Sequence, residues 1–202
     1  MNTSQGAARR QFLAGGIAVA GLAACTQTPL APVFPAITFS HKGVFRLAVE
    51  RVELRSTYAP PMRRPNIEHE LPVSPVETVR RWGSDRLAAN GDVGNAAVFI
   101  VREAAMTETE LRKETGLRAT MTTQQDMRYD LVLAATIEIR DSRNGVVVAS
   151  CDARAAGSRS VAEGIALAAR ERAWYGLTEQ VMETLDAELE RQVRAHLAPS
   201  LR

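Results

Sequence analysis

The chain has 202 residues, 46% hydrophobic and 24% charged, which is enough apolar content for one domain with a real core and excludes a disordered or collagen-like chain. Its formal charge of +2 rests on Arg9 and Arg10, the only charged side chains before Cys25; the other 23 bases meet 23 acids. That balance gives no electrostatic reason to expect nucleic acid as a partner.

Residues 1–24 fall into three zones: a polar start with Arg9 and Arg10, an apolar run from Phe12 to Leu22, and small residues at Ala23 and Ala24. This is the layout of a cleaved signal peptide. The run is well short of the ~20 apolar residues of a membrane-spanning helix. Leu22-Ala23-Ala24-Cys25 resembles the bacterial lipobox. The resemblance implies that the Cys25 thiol takes a diacylglyceryl group, that cleavage after Ala24 makes Cys25 the first residue, and that its new amino group is acylated. A secretory signal with an incidental cysteine, or the N-terminal helix of a cytosolic protein, would leave this combination unexplained.

Ala8-Arg9-Arg10-Gln11-Phe12-Leu13 resembles the twin-arginine export motif, with Arg9, Arg10, Phe12 and Leu13 on its matched positions. Ala14 stands where that family often has lysine, and a plain positive start for general secretion is the alternative. Two or more acyl chains hold a protein stably at a membrane. Thr26 after the cysteine resembles the pattern that sorts lipoproteins to the outer rather than the inner membrane. The expected location is therefore the cell envelope, facing the periplasm. With Cys25 taken by lipid, Cys151 has no disulfide partner and is expected to be a small core residue.

Thr26 to Ile37 carries Pro29, Pro32 and Pro35 and reads as a semi-extended tether, so the lipidated segment covers residues 25–37 and the folded domain 38–202. Val44 to Tyr58 reads as a strand in which Phe45, Leu47 and Val49 share one face and Val52 and Leu54 the other parity. The slip at Glu50-Arg51 predicts a bulge or break. Ala59 to Pro75 holds Pro60, Pro61, Pro65, Pro72 and Pro75 and is an extended loop. Ser74-Pro75-Val76-Glu77 fits a capping box, opening a helix to Asn90-Gly91 with Val76, Val79, Gly83 and Leu87 on its inner face and Trp82 at the margin.

Ala97 to Thr109 reads as a strand that leaves the core beyond Arg102, and Leu111 to Met127 is polar and irregular. Tyr129, Leu131, Leu133, Ala135, Ile137 and Ile139 alternate in the clearest strand of the chain. Asn144-Gly145 then turns into a strand from Val146 to about Ser158. A helix of around 30 residues opens after Ser160 or a little later, with Trp174, Leu177, Val181, Met182, Leu185, Leu189 and Val193 at helical spacing. Gly176 inside it predicts close packing. The order strand, helix, strand, strand, strand, helix predicts an α+β two-layer domain: a four-stranded, mostly antiparallel sheet with two helices on one face.

The sequence contains no glycine-rich phosphate loop, Gly-x-Ser-x-Gly, Cys-x-x-Cys or His-Glu-x-x-His, and its three histidines, His41, His69 and His196, are scattered. No catalytic residue, metal or cofactor is expected. Glu68-His69-Glu70 is the sharpest titratable cluster, with a solvated loop triplet as the simpler reading. Asp186, Glu188 and Glu190 with Arg191 and Arg194 read as a solvated helix face. The Pro-rich stretch around Tyr58, Pro60, Pro61, Arg64, Pro65 and Glu68 is the candidate partner-binding surface, being preorganised and amphipathic. A loop that merely covers one end of the sheet is the alternative.

A strand ending in tyrosine and proline, then Arg64, Pro65, Ile67 and Glu68, then a helix with Arg81-Trp82 and Arg86-Leu87, resembles the auxiliary lipoproteins of ABC-type lipid transporters over residues 42–91. The resemblance implies a non-catalytic lipoprotein attached to an envelope-spanning machine that moves phospholipid. Leu111 to Met127 departs from the pattern. The expected partners are the membrane, through acyl chains on Cys25, envelope transport or assembly proteins, and phospholipid. An assembly factor similar to the lipopolysaccharide-transport lipoprotein, a lipid carrier or hydrolase, and a purely structural lipoprotein are the rival readings.

Overall fold

A computed structural model describes residues 33–111, 125–162 and 164–202. The slip at Glu50-Arg51 is a break that sends the two halves of the stretch to different sheets: β1 (Phe45–Leu47) and β2 (Val52–Ser56). The first helix, α1 (Pro75–Arg86), starts as the sequence requires, with the Ser74 hydroxyl accepting the Glu77 N–H at 3.4 Å and Pro75 at the first position. The Glu77 carboxylate pairs with Arg80. The helix ends at Arg86, ahead of Asn90-Gly91, because the next residues are drawn into a short strand, β3 (Leu87–Ala89), parallel to β1. Leu87 is thus a strand residue, and Trp82, expected at the helix margin, is wholly buried. The end of the chain closes the other side of β1, where Leu201 bridges Leu47.

The main sheet has the order β2-β4-β5-β6, with β4 (Asn95–Glu110), β5 (Gln125–Asp141) and β6 (Val147–Ala162). β2 runs parallel to β4, and the other pairs are antiparallel. The alternating residues from Tyr129 to Ile139 all lie in the core, with Ala135, Ile137 and Ile139 opposite Val101, Phe99 and Ala97. A bulge between Val101 and Glu103 shifts the parity of β4 and brings Ala104 and Met106 onto the inner face, so this strand stays in the core beyond Arg102. The hairpin uses Gly145 at φ 73°, while the Asn144 side chain accepts the Val146 N–H at 2.9 Å. Of the irregular stretch, residues 112–124 lie outside the described residues.

Because β6 continues through Ala162, the last helix, α2 (Leu167–His196), opens later than Ser160. Its apolar stripe from Trp174 to Val193 is buried on the same sheet face as Trp82 and Val79 of α1. The architecture is α+β, two helices over one face of a four-stranded mixed sheet, with the small β1–β3 sheet beside it. Upstream, the Phe34 ring lies 5.3 Å from that of Tyr175. Cys151 is buried, and burial, reinforced by neighbouring Asp152, pushes its thiol up to about 11, which makes it unreactive.

The closest approaches of helix to sheet are at Gly83 and Gly157. A Cβ on Gly83 would sit 2.8 Å from both Leu54 and Phe99, and one on Gly157 2.7 Å from Val181. At Gly176, where close packing was expected, the nearest group is the mobile end of Arg159 at 3.2 Å. Gly83→Ala is therefore expected to lower unfolding free energy by about 1–3 kcal/mol through overpacking. Gly176→Ala is expected to raise it by about 0.5–1 kcal/mol through helix propensity. Urea midpoints of the two variants check both signs.

Candidate functional site

β2 is much shorter than β4 and pairs with it only from Ala97 to Val101. Beyond that point the loop after β2 folds back along the uncovered part of β4. The Ile67 N–H donates to the Met106 carbonyl at 2.9 Å, the Glu108 N–H to the Pro65 carbonyl at 2.9 Å, and Asn66 bridges Thr107. The Pro-rich loop thus covers a sheet edge, and prolines suit the task because they leave few N–H groups seeking partners.

One buried carboxylate latches the loop. Glu68 opens a 3-10 turn, Glu68–Glu70, and is buried rather than solvated. Its Oε1 accepts the Tyr58 hydroxyl at 2.6 Å, the Asn66 amide at 2.7 Å and the Met106 N–H at 3.0 Å. Burial raises the pKa of Tyr58, and its bond to the Glu68 carboxylate raises it further. Arg64 spans the exposed side, bonding Glu70 at 3.1 Å and pairing with Glu108. Of the candidate contact residues, Glu68 is therefore an internal strut, Tyr58 is half-buried against it, and Pro60 is half-buried. Pro61, Arg64 and Pro65 are exposed. Met62, which lies within the same candidate stretch, stands out: it is 63% exposed and holds φ 57°, a left-handed conformation that costs a non-glycine residue about 1–2 kcal/mol.

A second cluster lies where both helices meet the small sheet. Asp186, read from sequence as part of a solvated face, is buried. It accepts the Trp82 indole N–H at 2.7 Å and the Lys42 ammonium at 2.6 Å, with Arg86 Nε at 3.3 Å. Arg86, buried too, also bonds Glu190 at 2.8 Å and the Gly43 carbonyl. Burial opposes the charge on Lys42, yet its bonds to Asp186 and Glu183 outweigh that and raise its pKa above the ordinary value. Glu188 with Arg191 and Glu190 with Arg194 form the one-turn pairs expected of a helix face. The adjoining pocket of about 450 Å³ is lined by Lys42, Phe45, Arg86 and Arg194 among others, but these three bases are already engaged by Asp186, Glu183 and Glu190. The cluster is a packing device between elements.

No protein-family model matches the chain, and no curated protein does. Among solved structures, the chain is similar to a minor lipoprotein from Acinetobacter baumannii at 16% identity, covering 72% of this chain and 91% of that one with a TM-score of 0.37. It is similar to a Caulobacter crescentus CB15 protein provisionally assigned as a lipoprotein, at 14% identity, covering 70% and 84% with a TM-score of 0.34. A Xanthomonas campestris protein of family DUF330 is similar at 17% identity, covering 80% and 92% with a TM-score of 0.30.

The export and anchoring residues Arg9, Arg10, Phe12, Leu13, Leu22, Ala24 and Cys25 lie outside the described residues. Among the described residues no group of His, Cys, Asp and Glu is gathered to hold a metal, and no helix is long and apolar enough to cross a membrane.

Proposed function

We propose that this chain is a lipid-anchored, non-catalytic protein of the bacterial cell envelope. It serves as a docking component of a membrane complex that moves phospholipid, and the tip of the loop Tyr58–Leu71 is its contact. The lipobox-like Leu22-Ala23-Ala24-Cys25 supports the anchor, and the twin-arginine-like Arg9-Arg10 supports export as a folded domain. The observation that carries the contact is the tip itself. An exposed methionine is held outward in a strained conformation, with Pro61 beside it and Glu68 fixing the loop from beneath. A loop whose backbone is already tied down loses little backbone entropy on binding, which is what a docking contact requires. Facing the periplasm from an outer-membrane anchor, such a tip would meet a partner that spans the envelope.

The test is affinity recovery of the tagged chain from crosslinked membranes, comparing the unaltered protein with Met62→Asp, which suits the backbone because aspartate tolerates positive φ. The expected result is recovery of a permease or ATPase of a lipid transporter, reduced roughly tenfold in the variant while its unfolding free energy stays within about 0.5 kcal/mol of the unaltered protein. Equal recovery by both proteins would remove the tip from the interface. A β-barrel in place of the transporter would make the chain an assembly factor.

A further inference from the structure

We propose that β6 is the contact strand of a symmetric dimer: the β6 strands of two copies of this chain pair antiparallel about Ala153 and join the two sheets into one. The main sheet ends on β6, and among the described residues no strand or loop pairs with its outer side. The opposite edge is the short strand β2, continued along β4 by the latched, proline-rich loop. β6 lacks two of the usual protections of an edge, proline and a bulge, and carries only a few charges, Asp152, Arg154 and Arg159. It contains no proline, and its register with β5 is unbroken from Val161 to Ala149, so no bulge twists its middle away. It begins with exposed apolar side chains, Val147 at 44% and Val148 at 58%.

The charges on its solvent face select one register. That face reads Val148, Ser150, Asp152, Arg154, Ala156 and Ser158, short side chains around a single acid and a single base. Two identical antiparallel strands related by a two-fold axis must pair residues of the same face, so the axis passes through a residue. An axis through Asp152 sets acid against acid, and one through Arg154 sets base against base. An axis through Ala153 sets Asp152 of each copy opposite Arg154 of the other, and the pairing occurs twice. The same axis places Val148 against Ser158 and Val147 against the stem of Arg159, covering the exposed valines. On the helix-facing side it matches Cys151 with Ala155 and Ala149 with Gly157, all small.

Within one copy, Asp152 accepts the Thr136 hydroxyl at 2.6 Å and Arg154 pairs with Glu103. The Arg154 side chain remains 59% exposed and can serve a second acid. Glu188 of α2 lines the same hollow as Asp152 and Arg154, with its carboxylate held by Arg191 and Gln192.

Sedimentation equilibrium of the full chain in density-matched mild detergent tests this. The expected result is a two-copy mass for the unaltered chain. Arg154→Asp alone and Asp152→Arg alone should each weaken association by roughly tenfold or more, because each sets like charges opposite each other twice. The exchange Asp152→Arg with Arg154→Asp should restore the two-copy mass. Circular dichroism confirms that each variant is folded, and the two single variants serve as checks on each other. A one-copy mass for the unaltered chain, an association indifferent to both single variants, or a folded exchange variant that stays monomeric would overturn the proposal.

Discussion

Asp186→Ala is expected to lower the unfolding free energy by about 3–5 kcal/mol, because it leaves the buried Arg86 guanidinium short of a counter-charge. Three groups converge on this carboxylate: the Trp82 indole and the Lys42 ammonium donate hydrogen bonds to it, and the Arg86 guanidinium forms an ion pair with it at 3.3 Å. They come from α1 and from the segment before β1, so the substitution unties three parts of the chain together. Glu190 still bonds Arg86 in the variant, but Glu190 is partly exposed and shares its carboxylate with Arg194. Asp186→Asn keeps an acceptor for Trp82 and loses only the charge, so it should fall between the two proteins. Glu183→Ala, which removes only the more exposed partner of Lys42, should cost less than about 1 kcal/mol. Urea unfolding at constant slope ranks the three variants. A loss of under about 1 kcal/mol in Asp186→Ala would mean that the buried cluster contributes no more than a surface pair.

Glu68→Ala is expected to cost about 2–4 kcal/mol, since the Met106 N–H and the Tyr58 hydroxyl each lose their acceptor while partly or wholly buried. Its local consequence separates it from the first variant. With the latch gone, Tyr58–Leu71 should detach from β4, and limited proteolysis should cut the loop before the rest of the domain. Glu68→Gln retains an oxygen for the three donors and should hold the loop with a smaller loss. Cleavage at the same rate in the unaltered chain and in Glu68→Ala would show that backbone pairing through Pro65, Asn66 and Ile67 suffices to hold the loop.

The sequence reading succeeded where local periodicity decides the outcome. The alternation from Tyr129 to Ile139 is buried against the helices, and the helical spacing from Trp174 to Val193 lies on the sheet. The phase slip at Glu50-Arg51 announced the break, although only the structure shows that the halves join different sheets. The sequence failed where distant partners decide. The helix signal through Asn90 was overridden by β1, since pairing with a strand from a remote segment holds Leu87–Ala89 extended. Asp186 reads from sequence as an ordinary surface charge because its partners Trp82 and Arg86 lie about a hundred residues away.

A signal was nonetheless present. Asp186 stands four residues after Met182 and three before Leu189, inside the apolar stripe, and Arg86 stands four residues after Trp82 and seven after Val79, again at helical spacing. A charge inside an apolar stripe needs a buried partner. For Met62 no sequence pattern announces a left-handed backbone, which is set by how the loop is tied down on either side.

Anchoring through Cys25 is the claim on which the docking role depends, and the intact mass of the chain extracted from bacterial membranes tests it most directly. The account predicts a membrane-bound species that begins at Cys25 and carries the mass of a diacylglyceryl group and an amide-linked acyl chain. A soluble chain with an unmodified Cys25, or one cleaved elsewhere, would contradict it.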